Sequence, residues 1–211
     1  MGTMAYAAEL FVYTGRGEGA IEIPKDVVRV RIDPSVLVIP DAFALKRKLR
    51  EVQLHDGIYK IDKYAFQGCT ALNGLQLSDG VKSIGIQAFQ FCINITKFRS
   101  PPLVVTIPRS MLNNCTRIFS VEVPDNIILV DGDAFSCCHS LRNATLASNT
   151  VVGEDATVLD DGDGVNGIRI ENHAFSECSD LLYIFDTVEA IMIALRNRFN
   201  GLTLHSRIYY K

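Results

Sequence analysis

The chain has 211 residues, 48% hydrophobic and 21% charged, with a formal net charge of -3 at neutral pH. That is ordinary for a folded soluble protein and suits one domain or a short repeat array. The charge balance gives no support for a nucleic-acid or anionic-membrane surface, and no apolar run approaches the roughly 20 residues that span a bilayer.

The start, Met1-Gly2-Thr3-Met4-Ala5-Tyr6, has neither a basic region nor a sustained apolar one, so no signal peptide is expected. Tyr6 breaks the myristoylation pattern. A cytoplasmic location is the expectation. Glu9-Leu10-Phe11-Val12-Tyr13 reads as a strand, followed by a turn from Thr14 to Gly19. Gly15, Gly17 and Gly19 are followed by no helix and miss the dinucleotide spacing, so they read as turn residues. Residues 1–27 are expected to form an N-terminal cap.

From residue 28 the sequence repeats. Ala-Phe pairs occur at Ala42-Phe43, Ala65-Phe66, Ala88-Phe89, Ala134-Phe135 and Ala174-Phe175, and Met111-Leu112 fills the gap. The second residue falls at 43, 66, 89, 112 and 135, four steps of 23; the step to 175 is 40, one unit plus 17 further residues. Three positions on stand Lys46, Cys69, Cys92, Cys115, Cys138 and Cys178. Six on stand Leu49, Leu72, Ile95, Ile118, Leu141 and Leu181, and five before stand Val38, Ile61, Ile84, Ile107, Val130 and Ile170. The first unit is one residue short.

One such unit cannot bury its apolar side, whereas stacked units share a continuous core. Val52-Gln53-Leu54, Leu75-Gln76-Leu77 and Val121-Glu122-Val123 alternate as strands must. About seven parallel strands, roughly 4.8 Å apart, are therefore expected on one face. Short helical turns or irregular segments at the Ala-Phe pairs are expected on the other.

The stretch Ile61-Asp62-Lys63-Tyr64-Ala65-Phe66-Gln67-Gly68-Cys69-Thr70-Ala71-Leu72 resembles the BspA-type (Treponema-type) leucine-rich-repeat family. The resemblance covers residues 28 to 186. It implies a curved leucine-rich-repeat solenoid used mainly for binding. Its bacterial members imply the alternative of an adhesion or surface-structural protein.

Five of the six cysteines share one column, and no spacing matches a zinc motif, so a buried ladder of free thiols is expected. The insertion near 147–166 carries Asp155, Asp160, Asp161, Asp163 and Asn166 without an EF-hand arrangement, and reads as a solvated acidic loop. His55, His139, His173 and His205 form no triad or metal spacing, and the sequons at Asn94, Asn114 and Asn143 read as incidental. Beyond 186, Val188, Ile191, Met192, Leu195 and Phe199 mark one helix face ending at Gly201, so residues 187–211 are expected to form a C-terminal cap. Arg198 to His205 with Tyr209-Tyr210 resembles the C-terminal cap of algal BspA-type proteins.

Outward sheet positions fall eight and ten residues after each Phe: Glu51 and Gln53, Gly74 and Gln76, Lys97 and Arg99, Ser120 and Glu122, Asn143 and Thr145, Tyr183 and Phe185. Two cations on a middle rung and two aromatics on the last are the side chains that anchor interfaces. A single domain that binds a protein through Lys97, Arg99, Glu122, Asn143, Tyr183 and Phe185 is therefore the expectation. No catalysis, cofactor, metal or nucleic acid is expected, and the chain is expected to be a monomer.

Overall fold

The structure, a computed structural model, describes residues 10–15, 22–73, 76–124, 126–146, 150–152, 168–170, 173–181 and 183–185. The expected C-terminal helix, Gly17, Gly19, and Asp155 to Asn166 of the insertion lie outside the described residues, as do the side chains of 145–146, 150–152, 168–170 and 183–185.

The chain winds as a solenoid with two sets of short parallel strands. The face sheet comprises Leu10–Tyr13, Arg29–Ile32, Glu51–Gln53, Lys97–Arg99, Ser120–Glu122, Asn143–Leu146 and Tyr183–Phe185. The first three pair with one another and the last four likewise. Of the expected strand at Leu75-Gln76-Leu77, Leu75 lies outside the described residues and Gln76 and Leu77 join no strand. The N-terminal strand lies parallel to its neighbour, Leu10 opposite Arg29 and Tyr13 opposite Ile32.

A second, rear sheet was not expected. It comprises Val38–Ile39, Lys60–Ile61, Ser83–Ile84, Thr106–Ile107, Leu129–Val130 and Ile168–Ile170, again parallel and in two runs. Most of these strands are two residues long, with only the second facing the core. The short first unit shifts its register: Ile39 aligns with Ile61 and is fully buried, while Val38 aligns with Lys60. The core column therefore starts at Ile39, not at Val38.

The insertion is more than a loop. Thr150–Val152 pairs with Ile168–Ile170 on the side away from Leu129–Val130. The chain overshoots by one rung on the rear sheet, then steps back to resume the stack.

Of the two forms expected at the Ala-Phe turns, helical or irregular, the structure takes the irregular one on most rungs. Only Asp41–Phe43 is a short 3-10 turn, and no longer helix occurs among the described residues. Elsewhere the residues two before and two after the Phe position take positive φ: Tyr64 and Gly68, Gln87 and Phe91, Ser110 and Asn114, Asp133 and Cys137, His173 and Glu177. A left-handed residue on each side of Phe stops a right-handed helix. It also turns alternate amides along the solenoid axis. Ala65, Gln67 and Cys69 donate within their own turn to Asp62, Tyr64 and Phe66. Tyr64, Phe66 and Gly68 donate to the carbonyls of Ile86, Ala88 and Gln90 on the next rung, at 3.1, 2.8 and 2.8 Å. These bonds repeat up the stack and satisfy backbone that a buried irregular turn would otherwise leave open.

The core lies between the two sheets and the turns. Rings of Phe43, Phe66 and Phe89 stack at 5.4 and 5.5 Å, and Phe135 stacks on Phe175 at 5.0 Å across the insertion. Leu112 holds the gap, fully buried. Tyr13 closes the front of the column edge-on to Phe43 at 5.0 Å.

Candidate binding face

Alternation on the face sheet is clearest on the middle rungs, at Lys97–Arg99 and Ser120–Glu122. In Lys97–Arg99 the central Phe98 is buried and both cations are exposed. Lys97 aligns with Ser120 and Arg99 with Glu122. Asn143 aligns with Ser120 on one side and Tyr183 on the other. One row thus runs Lys97, Ser120, Asn143, Tyr183. The second row does not run on as expected: a register shift sets Phe185 opposite Leu146, not opposite Thr145. Glu122 and Asn143 are exposed. The side chains of Tyr183 and Phe185 lie outside the described residues.

Electrostatically the first rungs of the face differ from its middle. Arg29 Nε donates to Glu51 Oε2 at 3.1 Å and Gln53 Nε2 to Glu51 Oε1 at 2.8 Å. Those bonds, from Gln53 first and then Arg29, hold the Glu51 carboxyl below its ordinary range. The Arg29–Glu51 pair is thus matched across neighbouring strands. Further along, the Lys97 ammonium sits 5.3 Å from the centre of the Phe119 ring, which is 38% exposed. Sequence reasoning passed over Phe119. Its signal was partly available, since the column seven after each Phe position otherwise reads Arg50, Asn73, Thr96, Arg142 and Leu182, with no second aromatic. A cation held against an exposed ring is a ready contact for a carboxylate or an apolar anchor.

The remaining candidates take structural roles. All six cysteines are free, and the five of the repeat column are buried. Burial pushes the Cys69 and Cys178 thiols up to about 12. The thiols of Cys92, Cys115 and Cys138 are raised well above the ordinary value, again chiefly by burial. His55 lies 2.9 Å from the Val36 carbonyl through Nε2 and accepts the Gly57 N–H at Nδ1. That pattern fixes the neutral tautomer with Nε2 donating. His139 contacts the Glu177 carbonyl at 2.8 Å. On the turns, Gln67 Nε2 donates to Gln90 Oε1 at 2.7 Å and Gln90 Nε2 to Asn113 Oδ1 at 3.2 Å, an amide ladder along the position after each Phe. Among the described residues no three His, Cys, Asp or Glu side chains form a metal cage. Among them, too, no helix is long and apolar enough to cross a membrane.

Stacked parallel strands, a repeated turn and a solvent-facing sheet define a leucine-rich-repeat solenoid. Residues 38–157 match the family model of the BspA type leucine rich repeat region, in six copies. The match spans more than half of the chain, and the chain belongs to that family. No curated protein matches. Among solved structures, the leucine rich repeat protein of T. pallidum is similar with a TM-score of 0.65 and 20% identity, over 91% of this chain and 84% of that one. A leucine-rich repeat protein from Eubacterium ventriosum matches with a TM-score of 0.60 and 21% identity, over 75% of this chain. A leucine rich cell surface protein from Faecalibacterium prausnitzii matches with a TM-score of 0.54 and 23% identity, over 77% of this chain. The chain spans only 39% and 40% of those last two proteins.

Proposed function

We propose that the chain is a non-catalytic protein-binding module whose partner docks on the face sheet, from Lys97 and Arg99 through Glu122 and Asn143 towards Tyr183 and Phe185. One observation carries this reading: Lys97 and Arg99 project to solvent from a single strand, and the Lys97 ammonium lies over an exposed Phe119 ring. Strands hold such groups in fixed directions, so little ordering entropy opposes docking. The double change Lys97→Glu with Arg99→Glu leaves the fold intact, because both side chains are exposed. It weakens partner binding by about 1–3 kcal/mol if the cations pair in a desolvated interface. Full retention of captured partner by a folded double variant discards the face.

A second reading, adhesion at a cell surface, is favoured by the likeness to the F. prausnitzii protein described as a leucine rich cell surface protein. A leader on the full-length gene selects adhesion, and its absence selects the cytoplasmic module.

A further inference from the structure

The flank between the Ala-Phe turns and the face sheet consists of the residues four to seven after each Phe position. Over the five rungs from the Phe43 unit to the Phe135 unit it carries Arg47, Lys48, Arg50, Arg117 and Arg142, and no Asp or Glu. All five cations are exposed. They set five positive charges on one side of a chain whose formal net charge is -3. Among the described residues none of the five is in a salt bridge. Along the flank, carboxylates return at its two ends, with Asp26 before the first of these units and Asp180 on the last rung. On the adjoining face, Glu51 is already engaged by Arg29 and Gln53. Like charges gathered without counter-charges raise a positive potential outside the surface, and that potential draws in anions. The flank is also held in place. Thr70 Oγ1 donates to the Arg47 carbonyl at 3.4 Å, Asn94 Nδ2 to the Thr70 carbonyl at 2.9 Å, and Arg117 Nη1 to Asn94 Oδ1 at 2.7 Å. This relay crosses four successive rungs. It orients the Arg117 guanidinium while leaving its charge unpaired, so a partner meets a group whose ordering cost is already met.

The placement of the charges decides which ligand. Arg47, Lys48 and Arg50 stand on the first of the five rungs, Arg117 on the fourth and Arg142 on the fifth. Between the two groups, Ile93 and Phe119 are 37% and 38% exposed. At roughly 4.8 Å per rung the first and fifth lie about 19 Å apart, the length of about six extended residues. A nucleic-acid strand would need cations along its whole backbone and a series of rings for its bases. The flank's second and third rungs carry no cation, and Phe119 is its single Phe or Tyr. We propose that the flank binds an extended acidic segment of a partner protein, with carboxylates at both ends and an aliphatic side chain between them. One end pairs with Arg47, Lys48 and Arg50, the other with Arg117 and Arg142, and the aliphatic side chain packs on Ile93 and Phe119. The proposal rests on the reading of the chain as a protein-binding module, and it uses none of the face residues assigned there.

The test titrates the full chain, labelled with 15N, with blocked heptapeptides at about 20 mM salt. Glu-Glu-Gly-Leu-Gly-Glu-Glu should shift the amide signals of Arg50, Ile93, Phe119 and Arg142 with a Kd of about 1 mM or below. Raising the salt to about 200 mM should weaken it several-fold, because exposed charges are then screened. Serine in place of its leucine should weaken it too, and lysine in place of its glutamates should abolish the shifts. Arg47→Gln with Lys48→Gln and Arg50→Gln should weaken the acidic peptide about threefold or more, and so, separately, should Arg117→Gln with Arg142→Gln. The melting temperature should hold in both variants, since all five side chains are exposed. Equal shifts from the lysine peptide, no loss with serine, unchanged affinity in either variant, or no shift at all would each overturn the proposal. So would a uridine octamer that displaces the peptide and binds more tightly, which would assign the flank to nucleic acid. The variants leave Lys97, Arg99, Glu122 and Asn143 in place and the probe is no natural partner, so failure here leaves the face reading standing. Conversely, an unchanged partner after charge reversal at Lys97 and Arg99 discards the face and leaves the flank proposal standing.

Discussion

Cys92 Sγ donates to the carbonyl oxygen of Phe66 at 3.1 Å, and that oxygen already accepts the Cys69 N–H. The same thiol hydrogen bond, onto a carbonyl that also accepts a backbone N–H, runs from Cys69 to Phe43, Cys115 to Phe89, Cys138 to Leu112 and Cys178 to Phe135, at 3.1 to 3.3 Å. Each thiol thus fills the second lone pair of a buried carbonyl on the preceding rung. Lys46, which stands in the column's first place, reaches the Ile23 carbonyl at 2.7 Å instead.

This gives the column its residue type. Cysteine is small, tolerates full burial and still donates weakly. Cys115→Ala should therefore lose both packing and a bond, at a cost of about 1–3 kcal/mol in urea denaturation. Cys115→Ser keeps a donor, and should fall between the wild type and the alanine variant. A neutral alanine variant would show that the bond and the sulfur volume contribute nothing.

The same thiols set a pH dependence. Unfolded, they ionise near 9.0; folded, Cys69 and Cys178 hold their protons to about 12. Between those values the unfolded state binds fewer protons, so stability falls as pH rises. The contribution is fully present below about pH 9 and is lost towards pH 12, at up to about 1.4 kcal/mol per thiol and pH unit. Thermal melts from pH 8 to 11 should show this decline. Native alkylation at pH 8 should reach Cys137 first, because it is half-buried and outside the column. Simultaneous labelling of the five column thiols would contradict the ladder.

The Phe and Cys columns were legible because a 23-residue period repeats the same physical demand at every rung. Face strands were legible where three residues alternate, as in Lys97-Phe98-Arg99. The rear sheet was not, since a strand such as Lys60–Ile61 shows one inward residue and no period to read. The left-handed turn positions were masked by their occupants: Asn114 and Asp133 suit that conformation, but Tyr64, Gln87 and Phe91 do not advertise it. At the site, Lys97 and Arg99 followed from the period, whereas the Phe119 contact needed lateral neighbours.

The overshooting strand changes what the insertion is expected to do. Without Thr150–Val152, the outer edge of Ile168–Ile170 loses its parallel partner. Deleting residues 149–165 should therefore cost about 1–3 kcal/mol, or several degrees in melting temperature for a chain of this size. Deleting 153–165 with a short Gly-Ser bridge retains the strand, and should cost less. Equal melting temperatures for both deletions and the wild type would show that the added strand contributes nothing to the stack.

Gly85 marks the tightest rung contact for which a glycine is required. A Cβ there would lie 2.6 Å from the carbonyl carbon of Asp62 and 2.6 Å from the Cα of Lys63, and would press on the Lys63 nitrogen. These are backbone atoms of the preceding rung, so no rotamer change relieves the overlap. The equivalent positions on other rungs, Asp62, Pro108 and Asp131, carry side chains, so the demand is local to this step of the stack. Gly85→Ala should force the two rungs apart, at about 1–3 kcal/mol or more. For a domain of this size each kcal/mol lowers the melting temperature by roughly 2–4 °C. Gly57→Ala is the control: its Cβ would meet the His55 ring at 3.0 Å and Leu37 at 3.5 Å, side chains that can shift, and the loss should stay below about 1 kcal/mol. Equal melting temperatures for the two variants would mean that the solenoid opens at this rung without cost, and that its rise per turn is not fixed by the Gly85 contact.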